Sequence, residues 1–189
     1  MAEARDASNP LAGLKEVHKA GVLPPVHLWN PPFCGDIDMR IASDGTWFYM
    51  NSPIGRKPLY QLFSRVLRRD DDNYFLVTPV EKCGIKVDDA PFVAVRMTVE
   101  GDAHDQVIGF ETNVDDHVVV NAEHGLRFAD EVGTDGLKPY VHVRAGLEAL
   151  VSRALFYDLV ALGVVKGEWF GVWSSGVFFP MKRAGEIGV

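Results

Sequence analysis

The chain has 189 residues, enough for one ordinary domain or two small ones, with a core that needs no covalent staples. Apolar residues make up 47% and charged residues 24%, which excludes a disordered chain. The formal net charge of −7 argues against non-specific binding to a nucleic-acid backbone.

The first residues, Met1-Ala2-Glu3-Ala4-Arg5-Asp6, lack the basic-then-apolar pattern of a signal peptide, and no apolar run is long enough to span a membrane. A cytoplasmic protein is expected. The two cysteines, Cys34 and Cys83, form no CxxC, and free thiols in a reducing compartment are expected.

Leu11, Leu14, Val17 and His18 recur at helical spacing before Gly21, which predicts a short N-terminal helix. Pro24-Pro25 and Pro31-Pro32 bracket an extended stretch. Gly35 to Ile41 alternates polar and apolar residues as a half-buried strand does. Ser43-Asp44-Gly45-Thr46 is a hairpin signal, and Trp47 to Met50 is the returning strand. After a turn-rich loop, Leu59, Leu62, Phe63, Val66 and Leu67 predict an amphipathic helix, with Arg68-Arg69 at its C-terminal end. Asp70 to Asn73 then turns the chain into strands Tyr74–Val77 and Gly84–Val87.

Asp88-Asp89-Ala90-Pro91 reads as a boundary between an N-terminal α+β domain, residues 1–89, and a β-rich domain, residues 90–189. The second half predicts a hairpin of Phe92–Glu100 with Gln106–Thr112, then strands His117–Asn121 and Leu126–Ala129 joined near Gly125. A loop over 130–140 and one long helix from about Ala145 to Leu162 follow. The last expected element is an aromatic hairpin of Glu168–Trp173 and Val177–Phe179. The fold class is α+β. Each half orders a hairpin, a polar loop, a helix and a strand pair, so duplicated strand-helix-strand units in two small domains are expected.

The chain carries no phosphate loop, no dinucleotide fingerprint, no GxSxG elbow and no HExxH, and no cofactor is expected. The run Asp70-Asp71-Asp72-Asn73 lacks the later Gly and Glu of a calcium loop and reads as a solvated turn. Asp115, Asp116, His117 and His124 read as a polar hairpin rim rather than metal ligands, and Cys34 as a packed structural thiol.

The loop Asn51 to Pro58 is the stronger candidate site. It carries Ser52, Arg56 and Lys57 before a helix, where anions are favoured. Glu81 and Lys82 form a second polar cluster, and Arg144 is a further cation near the start of the expected long helix. These six residues are the expected ligand contacts, with Arg56, Lys57 and Lys82 gathered in a cleft between the halves to hold an anion. The competing expectation is that the charges pair internally, Arg56 and Lys82 with Asp38 and Glu81.

Several blocks in order carry a family resemblance: Gly35 to Ile41, Asp44 to Trp47, Ser52 to Arg56, Leu62-Phe63-Ser64, Tyr74 to Lys82, Val87 to Phe92, and Tyr140 to Arg144. Over residues 24 to 165 the chain resembles the proteobacterial domain of unknown function 1285. The resemblance implies a duplicated α+β core, a C-terminal half loosely like a pleckstrin-homology fold, and a nucleotide-like ligand between the domains in signal transduction. The expected function is therefore a non-catalytic, ligand-binding regulatory protein with a small-molecule partner and room for a protein partner. The alternatives are a hydrolase using paired carboxylates among Asp36, Asp38 and Glu81, and an interaction module presenting Trp169, Phe170 and Trp173.

Overall fold

A computed structural model of the protein describes residues 23–134 and 136–186. The helix expected over residues 11–21 lies outside the described residues. The chain divides into two compact units between Asp88 and Asp89. No helix among the described residues is long and apolar enough to cross a membrane.

The first unit contains β1 (Phe33–Ile41), β2 (Trp47–Tyr49), β3 (Ser52–Pro53), α1 (Lys57–Arg65), β4 (Leu67–Asp70), β5 (Asn73–Val77) and β6 (Lys82–Val87). Its sheet runs β3-β2-β1-β6-β5-β4. Two antiparallel meanders, β1-β2-β3 and β4-β5-β6, are joined through the parallel pair β1 and β6. Alternation along β1 buries Met39 and Ile41 and leaves Asp36 and Asp38 exposed on the other face. Trp47 stacks on Phe63 of α1 with ring centroids 6.0 Å apart, and both are about fully buried.

The helix stops earlier than its apolar spacing predicts. Leu67, Arg68 and Arg69 belong to β4, so the two arginines are strand residues rather than a helix terminus. Asp71 and Asp72 make the β4–β5 hairpin turn, with Asp71 at φ 54.

The second unit contains β7 (Phe92–Glu100), β8 (Val107–Thr112), β9 (His117–Val119), β10 (Leu126–Asp130), β11 (Leu137–Arg144), β12 (Leu147–Val151) and α2 (Arg153–Ala161). Its main sheet runs β10-β11-β12-β7-β8-β9. Here too a first meander, β7-β8-β9, meets a second, β10-β11-β12, through a parallel pair, β7 with β12. Strand order and pairing directions therefore match those of the first unit. What differs is the helix, which lies between the meanders in the first unit and after them in the second. The repeat is in the sheet and not in the strand-helix-strand order.

The predicted long helix is shorter than expected. Residues 147–151 form a strand with Leu147, Ala149 and Val151 buried, and the helix spans only Arg153–Ala161. The loop expected over 130–140 is also partly strand, since β11 begins at Leu137. Strands β9 and β10 do not pair with each other; they are the two edges of the sheet.

A flat six-stranded sheet would hold its edges roughly 24 Å apart, five gaps of ~4.8 Å. The residues between β9 and β10, 120–125, fold back through a bond from the Asn121 N–H to the His124 carbonyl at 3.2 Å. So short a link requires the sheet to curl into a half-barrel.

A third sheet, β13 (Val164–Lys166), β14 (Trp169–Ser174) and β15 (Val177–Arg183), covers the seam between those edges. The Ser174 hydroxyl donates to the Val120 carbonyl at 2.7 Å and accepts from the Ile108 N–H at 2.9 Å. Phe179 lies so close to Gly125 that a Cβ there would sit 3.5 Å from its ring.

Candidate functional site

The six expected contacts are distributed over the two units. In the first, Ser52 is an exposed edge-strand residue, and Arg56 is the exposed N-cap of α1, its carbonyl accepting from the Leu59 N–H at 2.9 Å. Lys57 opens the helix and is exposed.

Lys82 lies at the other end of α1. The C-cap residue Val66 accepts from the Val77 N–H at 2.9 Å, and Val77 pairs with Lys82 across β5 and β6. A nine-residue helix therefore separates Arg56 from Lys82, on the order of 14 Å at 1.5 Å per residue. The Lys82 ammonium is engaged locally, 2.6 Å from the Asp70 carboxylate and 3.8 Å over the Phe75 ring. Its partner is Asp70, not the expected Glu81.

Arg68 donates to the same carboxylate at 2.9 Å and to the carbonyls of Val26 and Trp29 at 3.0 and 2.7 Å, clasping the segment before β1. Burial pushes the Asp70 carboxyl up, but the bonds from Arg68 and Lys82 outweigh it and hold the group below its ordinary value. Glu81 closes a turn, its N–H donating to the Thr78 hydroxyl at 3.2 Å. In the second unit, Arg144 pairs with Asp116 and lies 4.9 Å from the Phe92 ring centroid. Neither Lys82 nor Arg144 stands as an uncompensated cation waiting for an anion.

The other polar groups are also engaged. Asp116 is the partner of Arg144, and His124 stacks on His142 with centroids 5.8 Å apart. Cys34 is exposed rather than packed.

The second unit builds a pocket that the sequence reading did not locate. It occupies about 350 Å³ where β11, β12 and α2 meet. Leu137, Pro139, Leu150, Val151 and Phe156 give it apolar walls, and Glu131, Lys138, Arg153 and Tyr157 supply its polar groups. Each wall follows from its element. Strand β12 buries Val151 and turns at Ser152 into α2, which brings Arg153, Phe156 and Tyr157 to the pocket from the first turns of the helix.

Arg153 and Tyr157 are one helical turn apart, and the Arg153 Nε donates to the Tyr157 hydroxyl at 3.3 Å. That bond raises the guanidinium pKa above its ordinary value and leaves both Nη groups of Arg153 outside it. Lys138 donates to Asp89 at 2.8 Å, and Tyr140 donates to the same carboxylate at 2.7 Å. Burial, then the Asp89 carboxylate, push the Tyr140 phenol well above its ordinary range, so Tyr140 stays a neutral donor. Arg127 grips Glu148 with two bonds, 2.9 and 2.7 Å, and lies 4.2 Å over the Tyr140 ring. This network fixes β11 beside the pocket. Glu131 receives the Thr134 hydroxyl at 3.2 Å.

An apolar cavity with one planar cation, one hydroxyl and one carboxylate at its boundary suits a small molecule with a flat body and an anionic group. The sequence signal was the Arg153–Tyr157 pair beside Lys138-Pro139. Placing both residues mid-helix concealed it.

Comparison with known sequences agrees with these boundaries. The N-terminal domain of the DUF1285 family, a domain of unknown function, matches residues 24–90, and its C-terminal domain matches residues 91–181. The chain belongs to the DUF1285 family. A solved DUF1285 structure from Silicibacter pomeroyi is 52% identical, with a TM-score of 0.89, covering 95% of this chain and 97% of that one. Another family member, from Shewanella baltica, is 25% identical with a TM-score of 0.51, covering 66% of this chain and 91% of that one. No curated protein matches.

Proposed function

We propose that this DUF1285 protein is a non-catalytic, ligand-binding regulatory protein that receives a small nucleotide-like anion in the pocket beside α2. The observation that carries the reading is the coincidence, in one cavity of about 350 Å³, of apolar walls with the Arg153 guanidinium. That volume is at the lower end of the ~300–1,000 Å³ typical of small-molecule sites. Phe156, Pro139 and Leu150 offer flat apolar surface to a base, and Arg153 can take a phosphate through two parallel bonds. Glu131, which lines the same cavity, can accept from a base N–H. A role in signal transduction fits a module whose second unit we read as loosely pleckstrin-homology-like, with a helix following a curled, mostly antiparallel sheet.

The test is calorimetric titration of the protein with adenosine and guanosine monophosphates, repeated on Arg153→Ala. Binding that weakens about tenfold or more in the variant supports the reading. Equal affinity in both proteins refutes this site.

A protein-interaction role has its own support. In the β13–β15 sheet, Val165 and Trp169 are 64% and 40% exposed on and beside the edge strand β13. Unpaired edges with apolar side chains favour strand addition by a partner.

A further inference from the structure

The two cysteines lie 49 positions apart in the sequence, yet the fold sets them side by side. Strands β1 and β6 are adjacent and parallel, with Phe33 opposite Lys82 and Asp36 opposite Gly84. Two residues of β1, Cys34 and Gly35, lie between those pairs, whereas Cys83 is the single residue between them on β6. This is a β-bulge, and Gly35 takes the positive φ of 97 that lets β1 absorb the extra residue. Both bulge residues therefore oppose Cys83.

Neighbouring strands lie roughly 4.8 Å apart. Disulfides need Cα atoms about 4.4–6.8 Å apart. Alternation from the Phe33–Lys82 pair sets the two thiols on one face of the sheet. Phe33 packs edge-on against Phe75, over which Lys82 lies, so that pair marks the opposite face. The nearness of the two is also felt electrostatically at Cys83, where Cys34 is among the groups that raise the thiol pKa.

The two thiols differ in access. Cys34 is exposed, with its thiol 3.5 Å from the Pro32 carbonyl, while Cys83 is 4% exposed. Burial first, then Glu81 and Cys34, push the Cys83 thiol up to about 11, so at neutral pH it is not the group that an oxidant meets as a thiolate.

We propose that Cys34 and Cys83 form a reversible oxidation site, closed into an intramolecular disulfide by hydroperoxides. In the first step the Cys34 sulfur attacks one oxygen of the peroxide. The O–O bond breaks, Cys34 becomes a sulfenic acid, and the thiol proton leaves with the departing oxygen as water (alcohol for an organic peroxide). In the second step the Cys83 sulfur attacks the Cys34 sulfur. The S–O bond breaks, the S–S bond forms, and hydroxide takes the Cys83 proton as water. The peroxide is reduced by two electrons and the thiol pair is oxidised by two. Burial protects Cys83 from direct oxidation and reserves it as the resolving thiol. The product ties the central parallel pair of the first sheet at the end where β6 begins, and a dithiol reductant reopens it.

The experiment treats the full chain with one equivalent of hydrogen peroxide at neutral pH and follows it by intact mass, non-reducing electrophoresis and peptide mapping. The expected product is a monomer two hydrogen atoms lighter, with a peptide linking position 34 to position 83, and dithiothreitol restores both thiols. Because burial raises the Cys83 pKa, closure of a preformed Cys34 sulfenic acid should accelerate as pH rises toward about 11.

Cys34→Ser, a surface change, should leave Cys83 unmodified by the same treatment and block the mass change. Cys83→Ala should stop at a dimedone-reactive Cys34. Three results would each overturn the proposal: an intermolecular dimer through Cys34; Cys34 carried on to the sulfinic acid in the wild type while Cys83 remains a free thiol; or two unmodified thiols after treatment.

Discussion

Replacing Ser174 by alanine probes how the C-terminal sheet is held on the half-barrel. Ser174 is 0% exposed, and its hydroxyl bridges the Ile108 N–H at 2.9 Å and the Val120 carbonyl at 2.7 Å. Alanine removes both bonds, each worth about 1 kcal/mol net. It also orphans an N–H in the interior, because Ile108 has its side chain fully buried and its N–H aimed at the hydroxyl. Such a group costs a further ~1–3 kcal/mol. The Val120 carbonyl keeps a partner, since the Ser175 hydroxyl donates to it at 2.8 Å.

The expected loss for Ser174→Ala is therefore about 3–5 kcal/mol, and for Ser175→Ala under about 1 kcal/mol, because Ser174 still serves the shared carbonyl. Urea unfolding followed by tryptophan fluorescence reads both, since Trp169 and Trp173 lie on β14. A midpoint for Ser174→Ala within about 0.5 kcal/mol of wild type would refute the claim that this hydroxyl clamps the seam.

The helix faces make a second test. Phe63 and Leu159 are 1% and 0% exposed, so Phe63→Ala should cost about 3–5 kcal/mol and Leu159→Ala about 2–5 kcal/mol by denaturant titration. Leu62 and Leu155 are only half-buried, and truncating either should cost roughly half as much or less. Acid stability makes a third. The folded-state pKa of Asp70 is depressed, so its contribution is present above the ordinary carboxylate pKa and is lost as pH falls through the lower folded value. An Asp70→Asn variant should lose stability at neutral pH and show a flatter stability profile below about pH 4 than wild type. Parallel profiles would contradict the Arg68–Asp70–Lys82 account.

Much of the fold was legible because single local rules sufficed. The alternation over Gly35 to Ile41, the Asp44-Gly45 turn, the hairpin of β7 and β8 and the aromatic hairpin of β14 and β15 each carry one dominant signal. The failures share a cause. Val66 and Leu67 continue the helical spacing of α1 although Leu67 opens β4, because both are buried in the same core. Residues 147–162 satisfy two periods at once. Leu147, Ala149 and Val151 alternate as a strand, while Leu147, Leu150 and Val151 also fit a helix.

What separates strand from helix there is the turn at Ala145 and Gly146, both at positive φ (46 and 76). Such a turn is usually announced by Asn-Gly or Asp-Gly, and alanine at the first position conceals it. The candidate site was hidden by the same error, since Arg153 and Tyr157 line a pocket only because the helix begins at Arg153. The cationic residues that composition brought forward, Lys82 and Arg144, have carboxylate partners that no spacing rule could assign: Asp70 twelve residues away and Asp116 twenty-eight away.

The most direct test of the pocket assignment is a ¹⁵N-resolved NMR titration of the whole chain with adenosine monophosphate, alongside Arg153→Ala. Saturable shifts centred on residues 137–139 and 150–157, lost in the variant while its remaining spectrum is unchanged, are the predicted result. Shifts confined to the Ser52–Lys57 loop, or identical titrations in both proteins, would contradict it.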